Sequence, residues 1–517
     1  MKSLSFFKLA GIVVIVLCIT SCEKDLNVPI YNSYTDENFW KSKEEVEAGI
    51  NGCYQVLDAG GLFTVNTTGN IMSETFTSNA FGGGPSLPFS NGTLGPDNVN
   101  LLGQKWTAAY RGIGRVNTVL DNFTKAGLEP KEQDEIEGQA LFLRALFYEN
   151  LVFYFGGVPL ILQKPDLETQ GKLPRSPMNE VVEQILKDLD IAIQKLPVSY
   201  KANSIGRATK GAALTLKAQV LLYYASPLFN PENDQSRWIK AAEAAKDVIN
   251  LAPTAGYDLF PNYRELFLEN NENNKEVIFD VQHSTPRVPS SADIILELQQ
   301  NIAPLLGLVN SYYMIDGMSI ENSPLYDPAK PYENRDPRLS QTIAVPGSKF
   351  VGKIANTTLY NITGFVFKKN TDYEDNLTYS NYPIRESGLN LILMRYADVL
   401  LMYAEAQNEV VGPDNSVYEV LNKIRDRVRM PHITTGLSKD EMRGEIRHER
   451  RIELAGEGLY YMDVRRWKIA DKDLDGPVYN SDSEVIQDRK FVDKEYWWPI
   501  PTTILERNSA LEQTSGY

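Results

Sequence analysis

The stretch WIKAAEAAKDVINLAP, residues 238–253, decides the class of fold. Apolar residues recur along it at helical spacing, and the small side chains of Ala241 and Ala245 let a neighbouring helix approach closely. Pro253 closes the run, because proline has no backbone N–H to continue a helix. Residues 181–197 show the same helical periodicity, alanine and closing proline. Two such stretches predict paired helices of the tetratricopeptide kind.

The rest of the chain adds helices without a regular repeat. Pro197 and Pro253 lie 56 residues apart, whereas a tetratricopeptide array repeats about every 34 residues. An apolar period of 3.6 residues predicts further helices over residues 42–57, 103–123, 132–154, 207–224 and 393–407. The predicted fold is therefore mostly α: a tetratricopeptide-like helical-repeat scaffold with long loop insertions and a few short strands.

Two long insertions interrupt the helical pattern. Residues 59–102 are rich in Gly, Ser, Thr, Asn and Phe and show no periodicity. Residues 284–390 hold most of the other irregular stretches, with short strand-like runs such as residues 364–368. Loops of this length inside a folded domain are usually functional. We therefore expect a binding face built from them.

The N-terminal residues have the pattern of a targeting signal. Two lysines precede an apolar run over residues 9–19, which is too short to span about 30 Å of hydrocarbon as a helix. The run ends in Ile-Thr-Ser before Cys22, which resembles a bacterial lipobox. We predict a lipoprotein signal peptide over residues 1–21 and a lipidated tether over residues 22–34, with Cys22 acylated. The alternative is an ordinary signal peptide with a chance cysteine.

Composition excludes several classes of protein. The 517 residues are 43% hydrophobic, which is ordinary for a globular protein with a large core. There are 52 Lys and Arg residues against 67 Asp and Glu residues, a net charge of −15, so nucleic acid is not expected as a partner. The 27 tyrosines hint at flat, polar ligands. Once Cys22 is acylated and the signal is removed, Cys53 is the remaining thiol, and no intramolecular disulfide is expected.

Motifs for catalysis are missing from the sequence. The three histidines, His283, His432 and His448, show no zinc-binding spacing, and no phosphate loop, dinucleotide fingerprint or nucleophile elbow occurs. We expect His448 at the surface of a charged helix and Cys53 in the core. The prediction is a protein that is not an enzyme and has no cofactor and no metal site.

A stripe of carboxylates admits two interpretations. Glu449, Glu453 and Glu457 recur at every fourth residue and alternate with arginines. Such spacing normally forms ion pairs that fix a helix against its neighbours. The alternative is a catalytic carboxylate pair, as in glycoside hydrolysis. We favour ion pairs, and we interpret residues 463–467 in the same way.

Ordered blocks along nearly all of the chain resemble one family. The most specific is ERRIELAGEGLYYMDVRRW, residues 449–467. The other blocks are FWKSKEEVEA (39–48), the Trp106, Tyr110, Ile113 and Asn117 series, EGQALFLRALFY (137–148), FGGVPL (155–160), GRATKGAA (206–213), RDPR (335–338), MRYADVLLMYAEA (394–406), LNKIRDR (421–427) and the terminus from Pro499 to Tyr517. Together they resemble the SusD/RagB family of outer-membrane lipoproteins from the Bacteroidota.

The resemblance implies a fold and a role. It implies one α-helical globular domain over residues 35–517, with a SusD-like N-terminal part over about 35–230 and a RagB/SusD part over about 231–517. It further implies a surface-exposed lipoprotein of the outer membrane that binds oligosaccharide or polysaccharide without cleaving it. Such proteins deliver the glycan to a SusC-like TonB-dependent transporter, which is the expected partner.

The resemblance also implies which loops contact the glycan. Family ligand contacts come from loops equivalent to residues 60–105 and to the region around residues 284–320. The candidates that these loops offer are Asn79, Phe81, Asp97, Asn98, Tyr312 and Tyr313, with Phe63 and Phe76 as further aromatics. Trp106 fits a packing role better, because it follows the helical period. The loops lack other tryptophans, which departs from members that stack starch on tryptophan and argues against a starch ligand.

Two other classes of function stay open at this point. Helical repeats commonly bind peptides or proteins on a concave face, so a protein–protein adaptor at the outer membrane is one alternative. A hydrolase that uses paired Glu and Asp residues is the other.

Overall fold

A computed structural model describes residues 39–64, 69–201, 204–373, 375 and 387–517. Nine helices longer than ten residues occur among the described residues: α1 (Lys43–Tyr54), α2 (Asn100–Asn122), α3 (Pro130–Phe155), α4 (Met178–Lys195), α5 (Lys210–Ala225), α6 (Gln235–Ala255), α7 (Tyr396–Val411), α8 (Asn415–Arg427) and α9 (Lys439–Glu453). Shorter helices include Leu87–Ser90, Leu167–Gln170, Leu306–Ser311, Pro337–Thr342, Tyr460–Arg466, Ala470–Asp473 and Thr502–Arg507. The mostly α prediction is confirmed.

Consecutive helices pack against one another as pairs. α3 lies between α2 and α4, α5 packs on α6, and α6 packs on α7, which in turn contacts α8 and α9. α3 is the centre of the scaffold, because every residue from 138 to 155 is buried. Its ends follow the sequence: Pro130 stands at the first helical position and Gly156, with φ of 76°, follows the last.

The two stretches predicted as repeats form α4 and α6, and α5 packs against both. The prediction that Pro253 ends its helix is wrong in detail. α6 continues to Ala255 and stops at Gly256, whose φ of 79° is left-handed. Proline removes one backbone N–H, but it does not prevent the two following residues from completing the last turn.

The strands are short and pair only two at a time among the described residues. The antiparallel pairs are β1 (Ala80–Phe81) with β3 (Ala303–Pro304), β2 (Val277–Val281) with β8 (Leu391–Arg395), β4 (Ile343–Ala344) with β7 (Val366–Phe367), β5 (Lys349–Phe350) with β6 (Lys353–Ile354), and β9 (Gly476–Tyr479) with β10 (Val485–Arg489). The helix predicted from residue 393 is wrong at its start. Residues 393–395 belong to β8, because they pair with β2, and α7 begins at Tyr396.

The carboxylate stripe is buried in ion pairs. Its acids and the bases around them form what we call the α9 charge cluster: Glu276, Arg338, Lys369, Arg395, Arg425, Arg427, Glu449, Glu453 and Glu457. Arg395 contacts Glu453 at 2.6 Å, Glu457 at 2.7 Å and Glu276 at 2.8 Å, and its side chain is 1% exposed. The ion-pair interpretation is therefore confirmed, although Glu457 lies beyond the end of α9.

The electrostatics of the cluster favour ionised carboxylates. Burial on its own raises the pKa of Glu453, but the positive charges of Arg427 and Arg395 outweigh it and hold the pKa below its usual range. A neighbouring pair follows the same rule: Arg466 binds both oxygens of Glu405 at 2.6 Å, and its Nε donates to Asp463 at 2.8 Å. Residues 463–467 are thus structural as well.

Candidate ligand-binding face

The two long insertions meet at one short sheet. β1 lies in the first insertion and β3 in the second, with Ala80 opposite Pro304 and Phe81 opposite Ala303. The N–H of Leu305 donates to the carbonyl of Asn79 at 2.9 Å and extends the pairing by one residue. Loops separated by more than 200 residues of sequence therefore form one surface, which we call the Phe81 face.

Phe81 occupies the end of β1 and is half-buried. The next residue, Gly82, is packed so closely that an added Cβ would lie 2.8 Å from the side chain of Thr75. By contrast, Gly83 and Gly84 have open space around them and are exposed. The phenyl ring thus stands between a rigid strand and an open glycine turn, where part of it contacts solvent.

Asn79 is fully buried, and both ends of its side-chain amide are hydrogen-bonded within the protein. Its Nδ2 donates to Glu74 at 2.9 Å, and its Oδ1 accepts from Arg451 at 2.8 Å. The same Glu74 accepts from the N–H of Gly458 at 2.8 Å. Both ends of the amide are occupied, so Asn79 positions β1 and offers no free group to a ligand in this arrangement.

Arg489 secures the same strand from the C-terminal hairpin. Its guanidinium donates to the carbonyls of Thr77 and Ala80, the latter at 2.8 Å. Burial lowers the pKa of this arginine to about 10. Neither Arg489 nor the β9–β10 hairpin was predicted as part of the binding face. The Asn480-Ser-Asp-Ser483 run between the two strands is turn chemistry that would have indicated the hairpin.

Tyr312 and Tyr313 follow the helix Leu306–Ser311 and point to different surroundings. Tyr312 is 0% exposed, and its carbonyl accepts from Arg335 at 2.7 Å. Tyr313 is half-buried and stacks on His448, with ring centroids 3.7 Å apart and planes 14° apart. Of the two, Tyr313 alone has ring surface available to a ligand.

The prediction of a surface position for His448 is wrong. The imidazole is half-buried under Tyr313, and burial lowers its pKa to about 3. The tyrosine ring removes water from one face of the imidazole. The nearby positive charges of Arg338 and Arg425 also disfavour protonation of His448. A helical sequence of alternating charges gave no sign of this stacking, because the partner ring is 135 residues away.

Asp97 and Asn98 are exposed and make a separate set of contacts. Asp97 accepts from the hydroxyl of Thr502 at 2.9 Å. Asn98 accepts from the N–H of Gly95 at 3.0 Å and donates to the carbonyl of Thr93 at 2.6 Å. These contacts tie the two residues to the start of α2 and to the C-terminal helix Thr502–Arg507, whereas Asn79 and Phe81 are tied to the second insertion.

The other aromatics of the first insertion are core residues. Phe63 and Phe76 are 6% and 2% exposed, and Phe76 stacks on Phe89 with centroids 3.9 Å apart. Trp106 is 6% exposed and contacts Tyr110 and Phe155, which confirms its packing role.

Two family models match this chain. The model described as the SusD family matches residues 271–517, and the model described as starch-binding, associating with outer membrane, matches residues 25–222. SusD-like protein P2 of Formosa agariphila is 26% identical over 514 residues, which cover 96% of this chain and 97% of that relative. SusD-like protein P25 of the same organism is 25% identical and covers 89% of this chain and 90% of that relative. The chain belongs to the SusD family.

Solved SusD-family structures share the fold. A SusD-like carbohydrate binding protein from Bacteroides fragilis superposes with a TM-score of 0.81 at 26% identity, covering 92% of this chain and 100% of that one. A laminarin binding SusD-like protein superposes with a TM-score of 0.68 at 23% identity, covering 92% and 100%. The tetratricopeptide-like helical scaffold of this chain is therefore the SusD fold.

Neither a metal site nor a membrane-spanning helix occurs in the described part of this SusD-family chain. It contains no group of three His, Cys, Asp or Glu side chains arranged to hold a metal ion. None of its helices is long and apolar enough to cross a membrane. Cys22 and the segments 1–21 and 22–34 lie outside the described residues, so the lipidation site stays a prediction.

Proposed function

We propose that this SusD-family protein binds an oligosaccharide or polysaccharide at the Phe81 face and delivers it to a SusC-like TonB-dependent transporter. The observation that carries the proposal is the β1–β3 pairing, which joins two long loops around a half-exposed aromatic ring. A relative at 26% identity is described as a carbohydrate binding protein, which supports the ligand class.

The chemistry of the face suits sugars. Pyranose rings present an apolar C–H face and a rim of hydroxyls, so they need an aromatic surface beside amide and hydroxyl groups. Phe81 provides a partly exposed ring at the face, and Tyr313 provides another elsewhere in the second insertion. Asn301, two residues before β3, is half-buried, and its Nδ2 donates to Oε1 of Gln299 at 2.8 Å. These two side chains add amide donors and acceptors near β3.

The six candidate residues divide into two roles. Phe81 and Tyr313 are partly exposed and are proposed to contact glycan directly. Asp97 and Asn98 are exposed on a separate loop and are proposed to contact glycan that extends beyond the Phe81 face. Asn79 and Tyr312 are fully buried and are proposed to hold the loops in place. Tyr479, 36% exposed on β9 beside the helix Leu306–Ser311, is a further aromatic at the margin of the face.

We propose binding without catalysis. The carboxylates that the sequence offered as a hydrolytic pair, Glu449 and Glu453, are 0% exposed and occupied by arginines. A glycosidase needs one protonated and one ionised carboxyl group on either side of an accessible glycosidic bond. Buried, arginine-paired carboxylates meet neither condition.

For the N-terminus, we propose that residues 1–21 direct export and that Cys22 carries the acyl chains that hold the protein at the outer membrane. Residues 22–34 are the tether, and residues 35–517 form one globular domain. The matching family model, described as associating with outer membrane, supports this location. In Cys22→Ala, the protein is expected in the soluble periplasmic fraction, and a variant that stays with the membrane would argue against the lipid anchor.

Native affinity electrophoresis of the full chain in detergent, through gels that contain single polysaccharides, tests the proposal. We expect one class of glycan to retard the wild-type protein and to retard Phe81→Ala clearly less. Leu167→Ala is the matched control, because Leu167 is an 86% exposed apolar side chain outside the face. Binding to a peptide digest with no response to any glycan would favour the adaptor alternative and overturn the glycan proposal.

Delivery to the transporter needs its own measurement. The protein is expected to co-purify from detergent-solubilised outer membranes with a TonB-dependent barrel, identified by mass spectrometry. Loss of that barrel from a preparation that still binds glycan would separate capture from delivery.

A further inference from the structure

A polar cleft lies apart from the Phe81 face, between α2 and the helix Thr502–Arg507. Its volume is about 660 Å³. One wall carries Asn100, Gln104, Thr107 and Arg111 of α2, and the other carries Thr503 and Arg507. We call it the Arg111 cleft.

The α2 wall is a single stripe of that helix. Residues 100, 104, 107 and 111 recur at intervals of four, three and four, so their side chains share one face. At 1.5 Å per residue the stripe is about 16 Å long, which suits a short oligomer better than a single ring. Gly60, Gly103 and Ala108 also line the cleft and leave room along the helix. At Gly103 an added Cβ would make only an ordinary contact, 3.9 Å from Pro501.

The functional groups of the cleft match a hydroxyl-rich ligand that carries negative charge. Amides and hydroxyls of its walls are hydrogen-bonding partners for sugar hydroxyls. Within the described ranges, the side chains of Arg111 and Arg507 make no ion pair or hydrogen bond. Arginine binds carboxylate and sulfate-like groups through two parallel N–H donors. The lining carboxylate, Asp97, already accepts from Thr502 at 2.9 Å.

We infer that the Arg111 cleft binds an acidic segment of the glycan, through a carboxylate or sulfate group held by Arg111 and Arg507. This inference rests on the proposed glycan-binding function and adds a charged subsite to it. The net charge of −15 does not prevent such binding, because repulsion from distant carboxylates is screened beyond about 8–10 Å at ordinary salt.

A second basic cleft provides the comparison. It is lined by Lys368, Arg427 and Arg429 among others. Two of these bases are already engaged: Lys368 pairs with Asp375 at 2.7 Å, and Arg427 pairs with Glu453 at 2.5 Å and Glu276 at 3.1 Å. A ligand anion would have to compete with these carboxylates, so the Arg111 cleft is the better site.

Isothermal titration of the full chain in detergent tests the inference, with oligogalacturonate as the carboxylated probe and carrageenan oligosaccharide as the sulfated probe. We expect the wild-type protein to bind one of them, and the probe that binds identifies the anion. In Arg111→Gln/Arg507→Gln the dissociation constant is expected to rise at least about tenfold, because two charge-assisted contacts are lost. Raising the salt concentration is expected to weaken wild-type binding and to affect the double variant less.

Arg429→Gln is the matched control, since it removes an exposed arginine from the other cleft. Unchanged affinity in this control, with loss in the double variant, supports the inference. Binding of neither probe, equal affinity of the double variant and the wild type, or loss in Arg429→Gln alone would overturn it. In each of those cases, the proposed function would still stand if a neutral polysaccharide retards the wild-type protein more than it retards Phe81→Ala.

Discussion

Arginine has opposite roles in two regions of this molecule. In the α9 charge cluster, Arg395 is 1% exposed and its guanidinium contacts three carboxylates. In the Arg111 cleft, Arg111 is exposed and has no protein partner among the described residues. The first environment has a low dielectric constant, where charges must be paired. The second is solvated, where an unpaired charge costs little and remains available to a ligand.

The difference shows that the role of an arginine depends on the residues that pack around it. Arg395 ends β8 between Met394 and Tyr396, and Arg111 lies in α2 between Tyr110 and Gly112, so neither has a charged neighbour in sequence. What separates them is the number of carboxylates that the fold brings within reach. Stability should therefore depend on the first region and ligand binding on the second, which the following changes test in order of decreasing effect.

The largest effect is expected from Arg395→Met. The substitution leaves Glu276, Glu453 and Glu457 buried with one base fewer, and removal of one partner from a buried pair costs about 3–5 kcal/mol. The free energy of unfolding, measured in urea, is expected to fall by that amount. Arg111→Met is the matched control and is expected to stay within about 0.5 kcal/mol of the wild type. Similar losses in both variants would contradict the proposed contrast.

Asn79→Ala is expected to have the next largest effect. It removes a buried amide that has two partners, and it leaves Glu74 and Arg451 each short of a hydrogen bond. A loss of about 1–3 kcal/mol of unfolding free energy follows, because unsatisfied buried groups pay their full desolvation cost. Asn98→Ala, on the exposed neighbouring loop, is the control. Loss of glycan binding without loss of stability in Asn79→Ala would instead place its amide in direct ligand contact.

Phe81→Ala is expected to act on binding rather than on folding. Loss of a partly exposed aromatic surface should raise the dissociation constant for the retarding glycan about tenfold, which equals about 1.4 kcal/mol. The melting temperature should change little, because part of the ring is already in solvent. Unchanged affinity would move the glycan site away from the Phe81 face, and a collapse in stability would show that the ring is mainly structural.

The smallest effect concerns a buried carboxylate without an arginine. Glu495 accepts from the N–H of Leu94 at 3.2 Å, and burial raises its pKa to about 7, opposite to the shift at Glu453. A raised carboxyl pKa means that the folded state binds the proton more tightly than the unfolded state does. Stability from this group is therefore present near pH 5 and is lost as the pH rises through 7.

Unfolding free energies of the wild type and Glu495→Gln between pH 5 and pH 8.5 measure this effect. The wild type is expected to lose stability between about pH 5 and pH 7 and to change little above that range. The variant is expected to show a flatter profile, because its amide cannot ionise. Parallel profiles of the two proteins would assign the loss of stability to other groups.

Several features were predictable because they depend on neighbours in sequence. The spacing of apolar residues in α3, α4 and α6 fixes which side of each helix is buried, and the capping serine before α1 marks its start. The errors arose where a distant partner intervened. Residues 393–395 have helical periodicity but pair with β2, and His448 lies in a charged helix but is covered by Tyr313.

The sequence by itself therefore determined the helical scaffold, because apolar spacing within a few turns decides which face of a helix is buried. It also contained the blocks that resemble the family and the charge stripe that indicated ion pairs, although the partners of that stripe come from distant elements. Only the tertiary structure decided which loop residues reach the surface. Asn79 and Phe81 are two residues apart, yet Asn79 is occupied by Arg451, 372 residues away, and Phe81 is left beside an open turn. Such contacts are set by packing between distant segments, and local propensity carries no information about them.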